Sequence, residues 1–517
     1  MALRDLFRAR VLEQPAPPLP AVLSAPPAAS RAWLAAAPSR LLADLPSGAM
    51  ASPNREIRIS LGILRARARW LAQNDGFSKG FFRLLRRNIV GPSGFRLQMA
   101  VKTDRGDGED ADANRRLEAA WFAWCQVGAC DVTGRLSLTD VCRLLITSIA
   151  RDGEALVRLV RGPRFGPHGF ALQVLDAAQL DEGMNAAEGT AWAGVKLPAG
   201  HTIRSGVQLD GYARPVAYWL RTSLPGDDAQ RVGLVTYTQV PAEDMLHLYV
   251  TDWPGAQARG VPWLEAAIRS LAMLDGYAEA ELTAARVGAS KMGFYEQAEG
   301  EDIDGELQAD GTLVQNAEAG TFELLPKGVT LKAFNPEHPN SAFKQFCSSI
   351  LRNAAAGTGV SYNAFANDTE GLSFSAMRGT ALEDRDEYRT IQDWFMGAAL
   401  RPIFAAWLKE MLIGGTSGLP AGKYAKFNAP RFIPRGWQWV DPATEMQAAS
   451  SAVALRIKSR SQIVAEQGGD FTETIADLKR EEVQMEGLPA MVLPGASAPA
   501  SAPGAAATSS TSKEPAK

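Results

Sequence analysis

The chain has 517 residues, of which 46% are hydrophobic and 21% are charged, and its formal net charge is −3. This composition is typical of a globular protein with roughly two to four domains, and it argues against a protein that coats nucleic acid, which would be strongly basic. The four cysteines form no CxxC pair and no apolar run reaches eighteen residues, so the sequence predicts neither a disulfide framework, a zinc site nor a membrane-spanning helix.

The N-terminal part of the chain changes character at Asn54. Residues 1–54 are rich in proline and alanine, which predicts a disordered arm. Between Arg55 and Arg96 there are ten Lys or Arg residues against two acids, at helical spacing. Such a basic helix pair is more often a solvated face or an ion-pair surface between subunits, although it could also contact a phosphate backbone.

The next segment mixes helices and strands and predicts an α+β layer. Trp121, Phe122 and Trp124 lie on one helix and are interpreted as core residues, and Ser137 and Asp140 have the spacing of a helix capping box. Strands are predicted at 155–160, 171–175, 203–209 and 215–221, with the last two joined through Asp210-Gly211.

A long helix is predicted at 260–295. Its apolar residues recur at alternating steps of three and four, and the stripe is rich in alanine. The pattern is compatible with a core helix of a large domain or with one stave of a ring in which identical helices pack side by side.

The segment after this helix is strongly acidic. Residues 296–326 contain nine Asp or Glu and no Lys or Arg. This composition indicates a solvated insertion or a docking surface for a basic partner, and the sequence leaves both open. A helix at 341–355 follows, then a polar loop at 361–374. A second long helix is predicted at 375–413, capped by Ser375 and kinked at Pro402.

Motifs of known enzyme classes do not occur in the chain. There is no GxxxxGK[ST], no GxGxxG, no GxSxG and no HExxH. The sequence therefore predicts no catalytic residue, no metal site and no cofactor. Two alternatives stay open: an enzyme acting on nucleic acid or cell wall whose metal site is built from Asp302, Asp304 and Glu306, and a non-catalytic scaffold that binds proteins through the acidic segment.

The order of these parts resembles the portal proteins of tailed bacteriophages, specifically the lambda-type family. The resemblance covers roughly residues 57–470, and each phrase is weak alone but their collinear order is specific. The phrases that carry it include Asn88-Ile-Val-Gly-Pro92, Arg151-Asp-Gly-Glu154, Arg214-Pro-Val-Ala-Tyr218, Gln257-Ala-Arg-Gly-Val-Pro262, Ala355-Ala-Gly-Thr-Gly-Val-Ser-Tyr362 and Phe374-Ser-Ala-Met-Arg378.

This resemblance implies an α+β portal fold, with wing, long-helix stem, clip and crown, that assembles into a ring. The implied parts are a disordered arm at 1–54, an α+β wing at 55–255, a stem helix at 256–295, an acidic clip at 296–340, a second stem helix at 341–360, a tunnel loop at 361–374, a kinked long helix and further wing at 375–440, crown helices at 441–487 and a disordered tail at 488–517.

The resemblance also implies a function and partners. Twelve copies would form a ring at the portal vertex of the virion, after synthesis in the host cytoplasm, as a passive conduit for double-stranded DNA during packaging and ejection. The ring would contact the terminase large subunit, a head–tail adaptor and the major capsid or scaffold protein, and no membrane. Three sets of residues are assigned: DNA-facing Asn363, Asn367 and Asp368; docking Glu301, Asp302, Asp304, Glu306 and Asp310; and subunit-packing Leu264, Leu271, Ala278, Ala285 and Ala289.

Overall fold

The computed structural model describes residues 52–106, 108–192, 195–224, 236–255, 257–290, 293–297, 329–333, 342–415 and 417–485. Ile57–Lys517 forms one compact unit. A second unit is Met1–Glu56, of which 52–56 are described. The predicted disordered arm and tail therefore lie largely outside the described residues, although helix α1 already begins at Pro53.

Helices form most of the regular structure in the described part of the chain. They are α1 (Pro53–Asn74), α2 (Gly76–Leu85), α3 (Ala111–Trp124), α4 (Leu138–Asp152), α5 (Glu265–Ser290), α6 (Phe343–Thr358), α7 (Tyr362–Ala366), α8 (Phe374–Phe395), α9 (Arg401–Ile413), α10 (Tyr424–Phe427), α11 (Pro442–Ala454), α12 (Arg460–Glu466) and α13 (Phe471–Gln484). No described helix is long and apolar enough to cross a membrane.

The strands pair in small antiparallel sheets. They are β1 (Arg96–Met99), β2 (Ala155–Arg161), β3 (Phe170–Leu175), β4 (Ala191–Trp192), β5 (Val195–Lys196), β6 (Thr202–Arg204), β7 (Val207–Leu209), β8 (Pro215–Arg221), β9 (Tyr237–Pro241), β10 (Met245–Leu248), β11 (Gly293–Gln297), β12 (Val329–Ala333) and β13 (Pro430–Ile433). The sheet orders are β10-β2-β3, β6-β7-β8-β9, β1-β13, β4-β5 and β11-β12.

An aromatic cluster lies at the centre of the main core. The rings of Trp121 and Trp407 have their centroids 5.0 Å apart, and Phe404 lies 5.3 Å from Trp121. Trp124 is also fully buried, as expected, but Phe122 is 70% exposed and does not belong to the core. Trp121 and Trp124 are three positions apart on α3 and share one face of that helix, whereas Phe122 points to another.

The strand predicted at 203–209 is two strands. Ser205 and Gly206 have positive φ values of 48° and 86°, which form a tight turn between β6 and β7. The sequence offers only one glycine as a signal, and the turn requires a non-glycine residue in the left-handed region as well. The sequence pattern therefore predicts one continuous strand, and this prediction is wrong.

The second long helix begins at a different residue from the prediction and contains a π-helical turn. Its N-cap is Ser373, whose hydroxyl accepts from the Ala376 N–H at 3.2 Å, not Ser375. The π-helical turn at Met396–Leu400 separates α8 from α9. Pro402 lies at the start of α9, and its ring would clash with the carbonyl of Ala398, four residues earlier. The wide π turn contains that carbonyl and accommodates the proline.

Candidate assembly and channel surfaces

Helices α5 and α6 form an antiparallel pair. The ring of Tyr277 lies 5.5 Å from Phe343 and 5.0 Å from Phe346, near the start of α6. Closer to the start of α5, the Asn353 amide donates to the Ser270 hydroxyl at 3.0 Å. The two helices therefore lie side by side and run in opposite directions.

The predicted subunit-packing stripe divides into two parts. Leu264 and Leu271 have 0% and 2% of their surface exposed, because they belong to the core of their own chain. Neither can contact a neighbouring copy unless that core opens, so their assignment to subunit packing is corrected. Ala278 is exposed and Ala285 is half-buried, and the side chain of Ala289 lies outside the described ones.

The α5 stripe becomes exposed beyond its buried part. Leu274 is 7% exposed, whereas Leu282, further along the same face, is 53% exposed. Periodicity predicts one continuous apolar face, but among the described side chains of this face the rest of the chain buries Leu264 and Leu271 and leaves Ala278 and Leu282 exposed. An exposed apolar surface of this kind commonly marks an interaction site.

A buried carboxylate anchors the loop that leads into α5. Glu154 follows α4 and is fully buried, and the guanidinium Nε of Arg259 donates to both of its oxygens at 2.9 Å. Arg259 Nη1 also donates to the carbonyls of Leu180 and Ser205, at 3.0 and 2.8 Å. These bonds connect the segment before the long helix to two separate parts of the α+β layer.

Glu154 accepts from three further groups. Arg65 on α1 donates from Nη2 at 3.0 Å, His247 on β10 donates from Nε2 at 2.9 Å, and the Gly260 N–H donates at 3.2 Å. A carboxylate has no proton to offer, so the imidazole proton must lie on Nε2. One side chain thus connects α1, β10 and the approach to α5.

The electrostatics of this cluster keep Glu154 ionised. Burial by itself would raise the pKa of Glu154, but the charge of Arg259 and the bonds from His247 and Arg259 outweigh it and hold that pKa well below its usual range. Burial lowers the pKa of His247, against the opposing effect of its bond to Glu154. His247 is therefore a neutral donor to an ionised carboxylate.

Close backbone contact accompanies this cluster. Gly153 has a φ of 87°, and a β-carbon there would lie 2.6 Å from the carbonyl carbon of Val261. A side chain at Gly153 would be strained and would also push the loop away from the turn. The two glycine-containing phrases, 151–154 and 257–262, thus lie against each other.

The sequence alone does not reveal this cluster as a site, because nothing local in it pairs Glu154 with Arg259. The two phrases 151–154 and 257–262, which carry part of the family resemblance, are the only signal of it. The other missed member is Arg65, which periodicity placed among ten basic residues of a solvated face but which is 4% exposed.

The predicted tunnel loop is partly helical. Residues 362–366 form α7, whose N-cap Ser361 accepts from the Ala364 N–H at 3.3 Å. Asn363 is half-buried on α7, whereas Asn367 is exposed and has a φ of 52°. Asp368 accepts from the Tyr362 hydroxyl at 2.8 Å and from the Glu370 N–H at 3.0 Å. The three assigned residues therefore lie together on a short helix and the turn that ends it.

The acidic segment lies almost entirely outside the described residues. The strands β11 and β12 flank it and pair with each other, Gly293 with Ala333 and Gln297 with Val329. The five assigned docking acids lie between these strands and outside the described residues: Glu301, Asp302, Asp304, Glu306 and Asp310. Within the described part of the chain, no group of three or more His, Cys, Asp or Glu residues is arranged to hold a metal ion.

Comparison with known proteins places the sequence among phage proteins. The family model described as phage portal protein, lambda family, matches residues 43–392. A probable portal protein of Halomonas phage phiHAP-1 is 36% identical over 429 residues, covering 81% of this chain and 80% of that protein. Portal protein B of Escherichia phage lambda is 25% identical over 465 residues, covering 81% and 83%.

Solved structures give a weaker likeness. A chain from the neck of an empty GTA particle, computed with C6 symmetry, aligns with a TM-score of 0.41 and 14% identity. The alignment covers 78% of this chain and 93% of that chain.

Proposed function

The chain belongs to the lambda family of phage portal proteins, and from that premise we propose that twelve copies form a closed ring at one vertex of the procapsid. The ring is a passive conduit for double-stranded DNA during packaging and ejection, and it remains in the virion. Closure of a ring requires two different, complementary surfaces on every copy, because each interface is head-to-tail.

The exposed part of the α5 stripe is the observation that carries this proposal. Its stripe is buried at Leu264 and Leu271 but exposed at Ala278 and Leu282. A single chain gains nothing from an apolar surface in water, whereas a neighbouring copy could cover it. The small side chains Ala278 and Ala285, and by extension Ala289, would allow adjacent stem helices to approach closely.

The proposed parts follow the expected order along the chain. Residues 55–255 and 375–440 form the wing, 256–295 and 341–360 the stem, 296–340 the clip, and 441–487 the crown. The Glu154 cluster fixes the junction of wing and stem, since it joins α1 and β10 to the loop before α5. A rigid junction would hold the twelve stems at one common angle.

The acidic clip is proposed as the docking surface of the ring. Its acids Glu301, Asp302, Asp304, Glu306 and Asp310 would contact basic surfaces of the terminase large subunit and, later, of the head–tail adaptor. The wing and crown would contact the major capsid or scaffold protein. This proposal rests on the uniform sign of charge along 296–326.

The turn around α7 is proposed to face the DNA. Asn363, Asn367 and Asp368 would line the bore, and the exposed position of Asn367 supports this placement. A cysteine introduced at Asn367 in assembled rings should react with a maleimide, and DNA threaded through the ring should slow that reaction. Equal reaction rates with and without DNA would show that Asn367 lies outside the bore.

Particle mass and negative-stain images of the purified protein test the ring. Twelve chains of 55.5 kDa give a particle of about 670 kDa with a central hole. Leu282→Glu should prevent ring formation while leaving the unfolding temperature of the single chain unchanged. If that variant forms rings normally, the exposed α5 surface does not belong to the interface between copies.

The competing enzyme hypothesis predicts a different result. If Asp302, Asp304 and Glu306 held a catalytic metal ion, a compact particle should cleave nucleic acid or cell wall only with divalent metal, and alanine replacements should abolish cleavage. We propose instead that the same replacements alter partner docking alone. A non-catalytic scaffold would bind its partners without forming a ring.

A further inference from the structure

A basic cleft lies between the start of β1, helix α8 and the segment after β13. Its volume is ≈ 630 Å³, and the residues that line it include Arg96, Arg385 and Arg435 together with Trp437 and Trp439. The described residues that line it include no Asp or Glu. The cleft therefore concentrates positive charge in a chain whose overall charge is slightly negative.

Trp437 organises the arginines around the cleft. The guanidinium carbons of Arg385 and Arg435 lie 6.0 and 5.6 Å from the centroid of its ring, and that of Arg389 lies at 5.5 Å. The face of an indole attracts a guanidinium group, so a single aromatic side chain holds three cations close together.

Arg385 and Arg435, called here the two inner arginines of the cleft, donate hydrogen bonds to neutral acceptors. Arg385 donates to the Gln438 carbonyl at 3.1 Å, and Arg435 donates to the carbonyl of Arg87 and to the side-chain oxygen of Asn88, both at 2.7 Å. Among the residues that the structure describes, neither has a carboxylate within ion-pair distance. By contrast, Arg96 pairs with Glu473 at 3.0 Å and Arg389 with Asp386 at 2.7 Å.

Nearby charges act differently on these two side chains. Burial lowers the pKa of Arg385, the charge of Glu445 opposes that effect, and the charge of Arg389 adds to it. Burial first, and then the charges of Arg87 and Arg385, lowers the pKa of Arg435. Both guanidinium groups nevertheless stay protonated at physiological pH. A bound anion would therefore relieve the repulsion that Arg87 and Arg385 exert on Arg435.

We propose that this cleft binds phosphate groups of DNA through Arg385 and Arg435. A guanidinium group offers two parallel N–H donors that match two phosphate oxygens, and each inner arginine keeps donors that its carbonyl and amide acceptors do not use. The assignment of the phosphate to DNA rests on the proposed function, since a conduit brings DNA to this protein. The phosphate chemistry itself rests on the cleft alone.

Binding of a 30-base-pair DNA duplex to assembled full-length protein, followed by fluorescence anisotropy at several salt concentrations, tests this proposal. Arg385→Gln should weaken binding about tenfold and reduce the slope of log K against log salt by about 1. Arg435→Lys, which keeps the charge but loses the paired donors, should have a smaller effect. The control is Arg115→Gln, because Arg115 is 78% exposed, pairs with Asp112 and does not line the cleft.

Inorganic phosphate distinguishes the source of the ligand. If millimolar phosphate raises the unfolding temperature of the wild-type protein but not of Arg385→Gln, while DNA binding is equal in both, the cleft binds a free ion and the assignment to DNA is wrong. If Arg385→Gln matches Arg115→Gln in both measurements, the cleft binds no phosphate.

A change of ring mass in Arg385→Gln with unchanged DNA binding would show that an acidic surface of a neighbouring copy occupies the cleft. If Arg385→Gln forms normal rings and binds DNA as the wild-type protein does, this inference is wrong and the proposed function is unaffected. If the wild-type protein forms no rings, the proposed function itself is contradicted.

Discussion

Gly357 passes so close to Ala266 that a β-carbon at Gly357 would lie 2.9 Å from the Ala266 β-carbon. Two carbon atoms do not approach to that distance, and neither methyl group could rotate away. Helices α5 and α6 can therefore adopt their spacing only because one of the two facing residues has no side chain. The proposed stem depends on this contact at the end nearest the wing.

Gly357→Ala should lower the stability of the chain by about 1 kcal/mol, measured by denaturant unfolding. Replacing a glycine inside a helix by alanine normally raises stability by about the same amount. The sign of the change in stability therefore tests the close contact. Gly80→Ala, in α2 with open space around the added carbon, should be stabilising. The double variant Ala266→Gly/Gly357→Ala should recover most of the loss, and failure to recover would show that the helices do not meet here.

Glu154→Gln should destabilise the chain by about 3–5 kcal/mol, because it leaves the buried guanidinium of Arg259 without a counter-charge. Denaturant titration followed by tryptophan fluorescence would measure the change. Asp386→Asn is the control, since Asp386 is 75% exposed and pairs with Arg389 at the surface, where such pairs contribute little. Equal effects of the two replacements would contradict the role assigned to Glu154.

His247→Gln should reduce the loss of stability between pH 6.5 and pH 5. The pKa of His247 is lowered in the folded chain, so below its ordinary value of 6.5 the unfolded chain binds a proton that the folded chain does not, and stability falls. Glutamine keeps an N–H donor for Glu154 but does not titrate.

The pKa of Glu154 is lowered as well, so its contribution is lost only below its ordinary value of 4.5 and does not enter this window. Unfolding free energies of both proteins at pH 7, 6 and 5 would measure the difference. Parallel curves would show that His247 does not titrate on unfolding in this range.

Leu271→Ala and Leu282→Ala should separate folding from assembly. Leu271 is 2% exposed, so its truncation should cost about 2–5 kcal/mol of folding stability. Leu282 is 53% exposed, so its truncation should leave folding stability nearly unchanged and weaken the ring, seen as dissociation at a higher protein concentration. If neither variant weakens the ring, α5 does not belong to the interface between copies.

Local sequence patterns predicted most elements of the fold because their causes are local. The box formed by Ser137 and Asp140 is present, with the Asp140 N–H donating to the Ser137 hydroxyl at 3.2 Å. The helix predicted at 260–295 is observed as Glu265–Ser290, followed by a strand where the periodicity had been extended. The errors lie where one residue decides a boundary, as at Ser205 and Ser373.

The candidate surfaces were less predictable than the elements. Periodicity identified the α5 stripe but could not divide it, since Leu271 and Leu282 occupy the same face of the helix. It also grouped Arg65 with exposed arginines of α1, although Arg65 contacts Glu154 at 3.0 Å. In both cases the residue type is compatible with either environment, and only the segment that covers it distinguishes them.

The sequence by itself determined the family, the order of the elements and the acidic character of 296–326, because these depend on residues that are neighbours along the chain. The tertiary structure decided that Glu154 meets Arg259 across 105 residues, that the α5 stripe is buried at Leu271 but exposed at Leu282, and that Arg385 and Arg435 line one cleft. Burial and pairing are properties of segments distant in sequence, and a local pattern carries no information about which distant segment will cover it.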